Sequence, residues 1–268
     1  MIAAMQPLTA LPDAARRAIR GVLTDIDDTI STGGRVTAEA YAAMERLHGA
    51  GLLVIPVTGR PAGWCDHIAR MWPVDAVVGE NGALYMLRDE RAGKLRKRYA
   101  DSETERRKGR ERLAEVAAKI LRAVPGSALA SDQPYRESDL AIDYREDVTP
   151  LSNDAVDRIV ALMQAEGMTA RISSIHVNGW FGAYDKLTMT RALLAEAFDI
   201  DLDAERQRFV FIGDSPNDAP MFEFFPISIG VANVRYFAGR LAAPPKYVTE
   251  SESGAGFAEL AEFLLAER

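Results

Sequence analysis

The chain has 268 residues, 48% hydrophobic and 26% charged, which is typical of a soluble globular protein with one large domain or two smaller ones. Its formal net charge of −7 argues against a nucleic-acid surface spread over the whole molecule, because binding to a phosphate backbone needs clustered cations. The single cysteine, Cys65, excludes an internal disulfide framework and a multi-cysteine zinc site. Composition therefore leaves an enzyme or a small-molecule-binding protein.

The opening stretch, MIAAMQPLTALPDAARRAIRG, has no basic region before its apolar residues and is interrupted by two prolines, so it predicts no signal peptide. No run approaches the roughly 18 consecutive apolar residues of a membrane-spanning helix. We therefore expect a cytoplasmic protein with neither a membrane nor a nucleic acid as its partner.

The first part of the chain alternates strand and helix signals. The predicted elements are a strand over residues 22–26, a helix capped by Thr37, a strand over 52–57, a helix from Pro61 to Met71 and a strand over 76–79. Continuous apolar strands separated by helices are typical of a parallel sheet that is covered on both faces. The predicted fold class is α/β with a doubly wound parallel-sheet core.

The middle of the chain has a different pattern. It predicts a hairpin with its turn near residues 92–93, a charged helix over 102–122, a half-buried antiparallel strand over 139–144, a helix capped by Ser152 or Asn153, and short strands over 168–172 and 175–178. Buried patterns return with a helix over 187–198 and a strand over 208–213. We therefore predict an α+β cap over residues 87–182, inserted into a core made of residues 1–86 and 183–268.

Polar residues follow the predicted core strands at the points where the strands end. These residues are Asp25, Asp27 and Asp28 after the first strand, Thr58, Gly59 and Arg60 after the second, Asp214, Asn217 and Asp218 after residue 213, and Lys186 before a helix. Because ligands collect beyond the carboxyl ends of parallel strands, we expect these side chains to converge. Carboxylates beside hydroxyl and lysine donors predict an octahedral Mg²⁺ site next to an anion pocket.

Phosphoryl transfer requires these groups: a nucleophile in line with the leaving group, a cation, and donors for the remaining charge. Asp25 can attack phosphorus and form an aspartyl-phosphate. Asp27 points the same way if the chain stays extended, so it can protonate the leaving oxygen and later deprotonate water. Lys186 and Thr58 would hold the phosphoryl oxygens, and Asp214 would complete the metal shell.

Four short motifs match, in order, those of the haloacid dehalogenase superfamily: DIDDT at 25–29, VTGR at 57–60, a lysine at 186 and GDSPND at 213–218. GENGA at 79–83 and the insertion between the second and third motifs further resemble the class IIB hydrolases. That class includes Cof-type, sucrose-phosphate, trehalose-phosphate and mannosyl-3-phosphoglycerate phosphatases. The resemblance covers nearly the whole chain, strongly for the core and in outline for the insert.

The resemblance implies a role for each matched residue. Asp25 is the nucleophile and a metal ligand, and Asp27 is the general acid/base and a metal ligand through its backbone carbonyl. Asp214 is the direct carboxylate ligand, and Asp218 supports it from behind. The implied substrate-binding residues are Thr58, Gly59, Arg60, Asn81, Lys186 and Asn217. Position 28 is commonly glycine in Cof-type members, and Asp28 is left without an assigned role, with a cap of the following turn as the alternative.

Three basic residues keep alternative interpretations. Arg145 and His176 are cap candidates for substrate binding, although a packed or surface role is also open for His176. Arg60 either contacts the substrate or pairs with a nearby carboxylate. The predicted function is a Mg²⁺-dependent phosphomonoesterase that acts on a small phosphorylated metabolite, with sugar phosphates as the favoured class. A phosphomutase or phosphotransferase, or a non-catalytic sugar-phosphate-binding regulator, is the alternative, and the sequence leaves the oligomeric state open.

Overall fold

The computed structural model describes residues 5–89 and 91–266, so residues 1–4 and 267–268 of the predicted core lie outside the described residues. The strands, in chain order, are β1 Gln6–Pro7, β2 Gly21–Thr24, β3 Ser31–Thr32, β4 Arg35–Val36, β5 Leu53–Pro56, β6 Val77–Gly79, β7 Leu84–Asp89, β8 Lys94–Tyr99, β9 Ala128–Leu129, β10 Asp139–Asp143, β11 Thr169–Ile172, β12 His176–Trp180, β13 Phe209–Gly213, β14 Ser228–Gly230 and β15 Tyr247–Val248.

The α-helices alternate with these strands through most of the core. In chain order they are α1 Asp13–Ala18, α2 Ala38–Gly49, α3 Ala62–Met71, α4 Glu103–Ala123, α5 Asn153–Ala165, α6 Lys186–Phe198, α7 Leu202–Glu205, α8 Ala219–Phe224 and α9 Ser253–Leu265. Side-chain caps fix several of their first residues. Thr37 Oγ1 accepts a hydrogen bond from the Ala40 amide, and Ser152, rather than Asn153, caps α5.

The core is a parallel sheet with the strand order β1-β15-β14-β13-β2-β5. Alternate residues of its central strands point to opposite faces. Val22 and Val210 pack in the apolar cluster that contains residues of α2, α3 and α9, whereas Leu23 and Phe211 pack in the cluster that contains residues of α6 and α8. The predicted α/β fold with a doubly wound parallel core is confirmed.

The hairpin β7–β8 is joined to the core rather than to the cap sheet. β7 pairs antiparallel with β6, and β6 is linked to the end of β5 by a parallel bridge between Val57 and Val78. Leu84 and Tyr85 of β7 are buried in the two core clusters. The predicted boundary at residue 87 therefore falls inside a core-paired strand, and we propose that the inserted cap spans residues 101–182.

The cap contains an antiparallel sheet with the order β11-β12-β10-β9. Apolar residues of α4 and α5 pack against Leu140 and Ile142 of β10. β10 was predicted to be half-buried, and this prediction is wrong because all five of its residues are buried. Its polar positions turn to other parts of the protein instead of solvent: Asp139 pairs with Arg136, and Asp143 accepts hydrogen bonds from backbone amides of the following turn. In the described part of the chain, no helix is long and apolar enough to cross a bilayer.

The turn at Gly82 fixes how α6 meets the core. Gly82 has a φ of +104°, and a Cβ at this position would overlap the backbone of Asp185, next to Lys186. We expect Gly82→Ala to lower the free energy of unfolding by roughly 2–4 kcal/mol, because it combines backbone strain with a backbone clash. Gly49→Ala is the matched control, since no atom lies within 4 Å of its added Cβ. Urea unfolding measures both, and equal midpoints for the two variants would contradict this account of the turn.

Candidate active site

Three carboxylates and a lysine meet at the carboxyl ends of β2 and β13. Oxygen atoms of Asp25, Asp214 and Asp218 lie within 4.8 Å of one another, and all three residues are buried. Lys186 Nζ, at the first residue of α6, lies 3.1 Å from Asp25 Oδ1 and 2.7 Å from Asp218 Oδ1. The parallel pairing of β2 with β13 thus brings together residues that are far apart in the sequence.

The electrostatics of this cluster are unbalanced. Burial raises the pKa of Asp25 to about 7, although the charge of Lys186 opposes the shift. Burial, with the charges of Asp25 and Asp218, raises the pKa of Asp214 well above its ordinary value. Both shifts have the same origin, since a desolvated carboxylate beside like charges is disfavoured. One lysine does not offset three buried carboxylates, and the cluster lacks positive charge.

The two carboxylates of the GDSPND motif differ in their hydrogen bonds. Asp218 is satisfied on both oxygens: Oδ1 accepts from Lys186, and Oδ2 accepts from the backbone amide of Asp214 at 3.1 Å. Asp214 Oδ2 is buried and has no hydrogen-bond partner among the described residues. A free, buried carboxylate oxygen beside a second acid fits a hard divalent cation such as Mg²⁺. This chemistry fits Asp214 as a direct ligand and Asp218 as its support.

Arg60 is held by three carboxylates, one from the core and two from the cap. Its Nε and Nη2 lie 2.9 Å and 2.7 Å from Asp27 Oδ1. Nη1 lies 3.2 Å from Asp132 Oδ2, and Nη2 lies 2.6 Å from Glu146 Oε1. The indole ring of Trp64 lies under the guanidinium, 4.4 Å from its carbon. The structure therefore shows Arg60 paired with carboxylates, which is one of the two interpretations that the sequence leaves open.

The phosphate-binding candidates lie around the end of β5. Thr58 is fully buried, and its Oγ1 accepts a hydrogen bond from the Arg60 amide at 3.0 Å. A Cβ on Gly59 would lie 3.1 Å from Asn81 Nδ2, so the small residue lets Asn81 approach. Asn81 Oδ1 is buried without a partner in the described part of the chain. The remaining candidate, Asn217, follows β13 instead, and its Oδ1 accepts from the Ser215 hydroxyl at 2.8 Å.

Glu80 anchors the cap to the core, and sequence reasoning missed it. Its carboxylate is buried and accepts hydrogen bonds from the backbone amides of Ala62 in the core and of Glu137 and Ser138 in the cap. Burial and the charge of Asp139 raise the pKa of Glu80 to about 7. The residue lies within GENGA, so a motif pointed to the segment, but the pairing partners come from a distant loop. Asp132 and Glu146 were missed for the same reason.

The two cap candidates, His176 and Arg145, are placed differently. His176 is buried, and its Nε2 lies 2.9 Å from Glu146 Oε2. Burial would raise the pKa of Glu146, but the contacts with His176 and Arg60 lower it to about 2. Arg145 is exposed at the rim of a cavity of about 330 Å³ that Asp27 and Asp28 also line. His176 therefore contacts Glu146, which in turn contacts Arg60, whereas Arg145 lines the cavity.

Asp28, which has no role by resemblance, lies on the wall of the same cavity. Its φ is +53°, a left-handed conformation that is uncommon outside glycine. Burial raises the pKa of Asp28, whereas the neighbouring Ser174 hydroxyl and the charge of Arg145 lower it. Its carboxyl group thus lies close to two residues of the cap.

The contacts of Arg60 predict a large effect of its removal. Arg60→Ala leaves Asp27, Asp132 and Glu146 without their shared cation, and we expect the free energy of unfolding to fall by roughly 3–5 kcal/mol. Arg70→Ala is the control, because Arg70 pairs with Asp66 at the surface and should contribute about 0–1 kcal/mol. Denaturant unfolding of both proteins tests the difference. Similar losses in the two variants would show that the three-carboxylate cluster is not held by Arg60.

Residues 22–107 match the family model of haloacid dehalogenase-like hydrolases. No curated protein matches the sequence. Protein 0175 of Thermoplasma acidophilum is similar over 92% of this chain and 98% of its own, with 17% identity and a TM-score of 0.67. The carboxyl-terminal domain of trehalose-6-phosphate phosphatase from C. albicans is similar over 97% of this chain and 98% of its own, with 12% identity and a TM-score of 0.68.

Sucrose-phosphatase from Synechocystis, solved with sucrose and phosphate, is similar over 92% of this chain and 98% of its own, with 15% identity and a TM-score of 0.59. At these identities the structural likeness shows the fold alone. The match over residues 22–107, with a shared fold over almost the whole chain, confirms the resemblance to the haloacid dehalogenase superfamily that the four motifs predicted.

Proposed function

We propose that the protein is a phosphomonoester hydrolase that depends on Mg²⁺, forms an aspartyl-phosphate and acts on a small phosphorylated metabolite, with sugar phosphates as the favoured class. The observation that carries the proposal is the buried cluster of Asp25, Asp214, Asp218 and Lys186, with Asp27 beside it. The sugar-phosphate class is supported by the trehalose-6-phosphate phosphatase and sucrose-phosphatase that share the fold.

Asp25 is the proposed nucleophile. Its Oδ1 faces Lys186 Nζ at 3.1 Å, and this ammonium group favours the ionised carboxylate that attack on phosphorus needs. As the new oxygen–phosphorus bond forms, the ester bond breaks and its electron pair goes to the leaving oxygen, which takes the proton that Asp27 carries at the start of the cycle. Water then attacks the same phosphorus, Asp27 accepts the proton of that water, and the Asp25 carboxylate is released with inorganic phosphate.

Asp27 is oriented for both proton transfers by Arg60. The guanidinium contacts both carboxylate oxygens, with Nε 2.9 Å from Oδ1 and 3.0 Å from Oδ2, which restrains the plane of the acid. Lys186, Thr58, Gly59 and Asn217 supply donors around the position where the phosphoryl oxygens would lie. The proposed roles of these residues rest on their position at one edge of the sheet.

Asp25, Asp214 and the backbone carbonyl of Asp27 are the proposed ligands of Mg²⁺, with Asp218 holding Lys186 and the backbone of the GDSPND turn. The ion would supply the positive charge that the three buried carboxylates lack and would neutralise phosphoryl oxygens. The cap would exclude bulk water from this region and contribute to the choice of substrate.

Replacement of the nucleophile tests the chemical step. We expect Asp25→Asn to lower kcat for p-nitrophenyl phosphate at least about a thousandfold, because an amide does not attack phosphorus. The control is Asp203→Asn, which changes an exposed acid of α7 and should leave kcat unchanged. Activity of the Asp25→Asn protein close to that of the unchanged chain would remove Asp25 from the nucleophile role.

Chelation tests the metal site. EDTA should abolish hydrolysis and added Mg²⁺ should restore it, and Mg²⁺ without substrate should raise the melting temperature of the protein. Asp214→Asn should lose most of that thermal shift, since it removes the unpartnered carboxylate oxygen. Turnover that is indifferent to EDTA would contradict the metal assignment. A protein that is stabilised by phosphorylated sugars but hydrolyses none of them would instead support the non-catalytic regulator.

A further inference from the structure

The cavity beside Asp27 has one wall from the core and one from the cap. It encloses about 330 Å³, and its lining includes Asp27, Asp28 and Ser31 from the core and Arg145, Glu146 and Ile175 from the cap. Asp27 lines this space and stands two residues after Asp25 of the buried cluster. A phosphate ester attacked by Asp25 and protonated by Asp27 would therefore extend its leaving group into the cavity.

The backbone holds Asp28 in this wall at an energetic cost. Its amide donates to Ser31 Oγ at 3.1 Å, and its carbonyl accepts from Asn233 Nδ2 at 2.9 Å, so both backbone groups are fixed. The resulting φ of +53° suits glycine better than any residue with a side chain. A carboxylate kept in a strained conformation at a cleft is a signal of function rather than of stability.

Most of the charged groups in the cavity are already paired. Arg60 contacts Asp27, Asp132 and Glu146, and Glu146 also contacts His176. Asp28 and Arg145, in contrast, make no ion pair with any described residue. Unpaired charges of opposite sign on facing walls are available to a ligand.

Ser174 adds an uncharged group on the cap side. The residue is 3% exposed and close to the Asp28 carboxyl, and its hydroxyl makes no hydrogen bond in the described part of the chain. A buried hydroxyl with spare hydrogen-bonding capacity contributes to binding when a ligand group completes it.

We propose that Asp28, Arg145 and Ser174 form a leaving-group subsite that binds adjacent hydroxyl groups of a single uncharged sugar ring. This inference rests on the phosphatase function proposed above. The carboxylate accepts a hydrogen bond from one hydroxyl, and the guanidinium donates to its neighbour, an arrangement that a vicinal diol completes without adding charge.

The charge and the volume of the cavity favour a single uncharged sugar ring over other leaving groups. The lining holds the carboxyl groups of Asp27, Asp28 and Glu146 against the guanidinium groups of Arg60 and Arg145, so it offers no excess of positive charge to a second phosphate or a carboxylate on the substrate. A volume of about 330 Å³ is at the lower end of the roughly 300–1,000 Å³ of small-molecule sites, which suits one sugar ring rather than two.

The test compares substrates with and without hydroxyl groups. The panel is glucose 6-phosphate, mannose 6-phosphate, fructose 1,6-bisphosphate and 3-phosphoglycerate, with p-nitrophenyl phosphate as the reference that offers no diol. The best hexose monophosphate should exceed the bisphosphate and the phosphoglycerate in kcat/KM. Asp28→Gly, which also relieves the strained φ, should lower the ratio of its kcat/KM to that of the reference about tenfold or more.

Further variants separate the subsite from a general loss of structure. Arg145→Ala should lower the same ratio, and the double variant should lose less than the product of the two single losses, because the two groups bind one diol. Arg171→Ala removes an exposed arginine of the cap that does not line the cavity and should leave the ratio unchanged. The melting temperature of Asp28→Gly should equal or exceed that of the unchanged chain.

Calorimetry with the Asp25→Asn protein measures the subsite without turnover. The hexose monophosphate should bind about tenfold more weakly when Asp28→Gly is added to this background. Unchanged ratios and unchanged binding would overturn the proposal. A preference for the bisphosphate or the phosphoglycerate that disappears in Arg145→Ala would also overturn it and would assign Arg145 to a second anion. Absence of turnover with every substrate, including the reference, would refute the phosphatase function while the binding measurement still decides the subsite.

Discussion

The structure depends on how it places negative charge at the carboxyl ends of β2 and β13. Asp25, Asp214 and Asp218 are buried within 4.8 Å of one another, and Lys186 is the ammonium group that contacts two of them. Desolvated carboxylates at this spacing are costly unless further positive charge is bound. The parallel sheet, the start of α6 and the close contact of Gly82 with Asp185 all serve to hold this arrangement. The proposed Mg²⁺ ion and the proposed chemistry follow from the same imbalance.

The contact between cap and core includes buried polar groups beside a small apolar cluster of Ala83, Trp180 and Tyr184. Arg60 joins Asp27 to Asp132 and Glu146, and Glu80 accepts backbone hydrogen bonds from the cap. Such contacts are directional, so they fix the position of the cap over the site more closely than apolar packing would. These contacts also pair Arg60 with Glu146. The unpaired charges in the small cavity beside them therefore belong to Asp28 and Arg145. The docking of the cap therefore decides which groups are available to a substrate.

Much of the core could be predicted from the sequence, since apolar runs end in polar residues and the ends of parallel strands share one edge. The clustering of Asp25, Asp214 and Lys186 follows from that rule. The boundary of the cap was harder to predict from the sequence, because β7 is apolar enough to belong to either unit. Its pairing with β6 joins it to the core. β10 appeared amphipathic, but its polar side chains are buried in ion pairs and turn hydrogen bonds. The role of Glu80 depends on a loop more than fifty positions away, which no local pattern encodes.

The central claim is that the phosphoryl group passes through Asp25, and the Asp27→Asn protein tests it most directly. Departure of p-nitrophenolate needs no proton, so attack by Asp25 continues in this variant, whereas the later attack of water lacks its base. Rapid mixing with p-nitrophenyl phosphate should give a burst of one equivalent of p-nitrophenolate, and acid quench followed by peptide mass spectrometry should find the phosphoryl group on Asp25. Turnover by the unchanged chain, with neither a burst nor a phosphorylated Asp25 in the variant, would contradict the account.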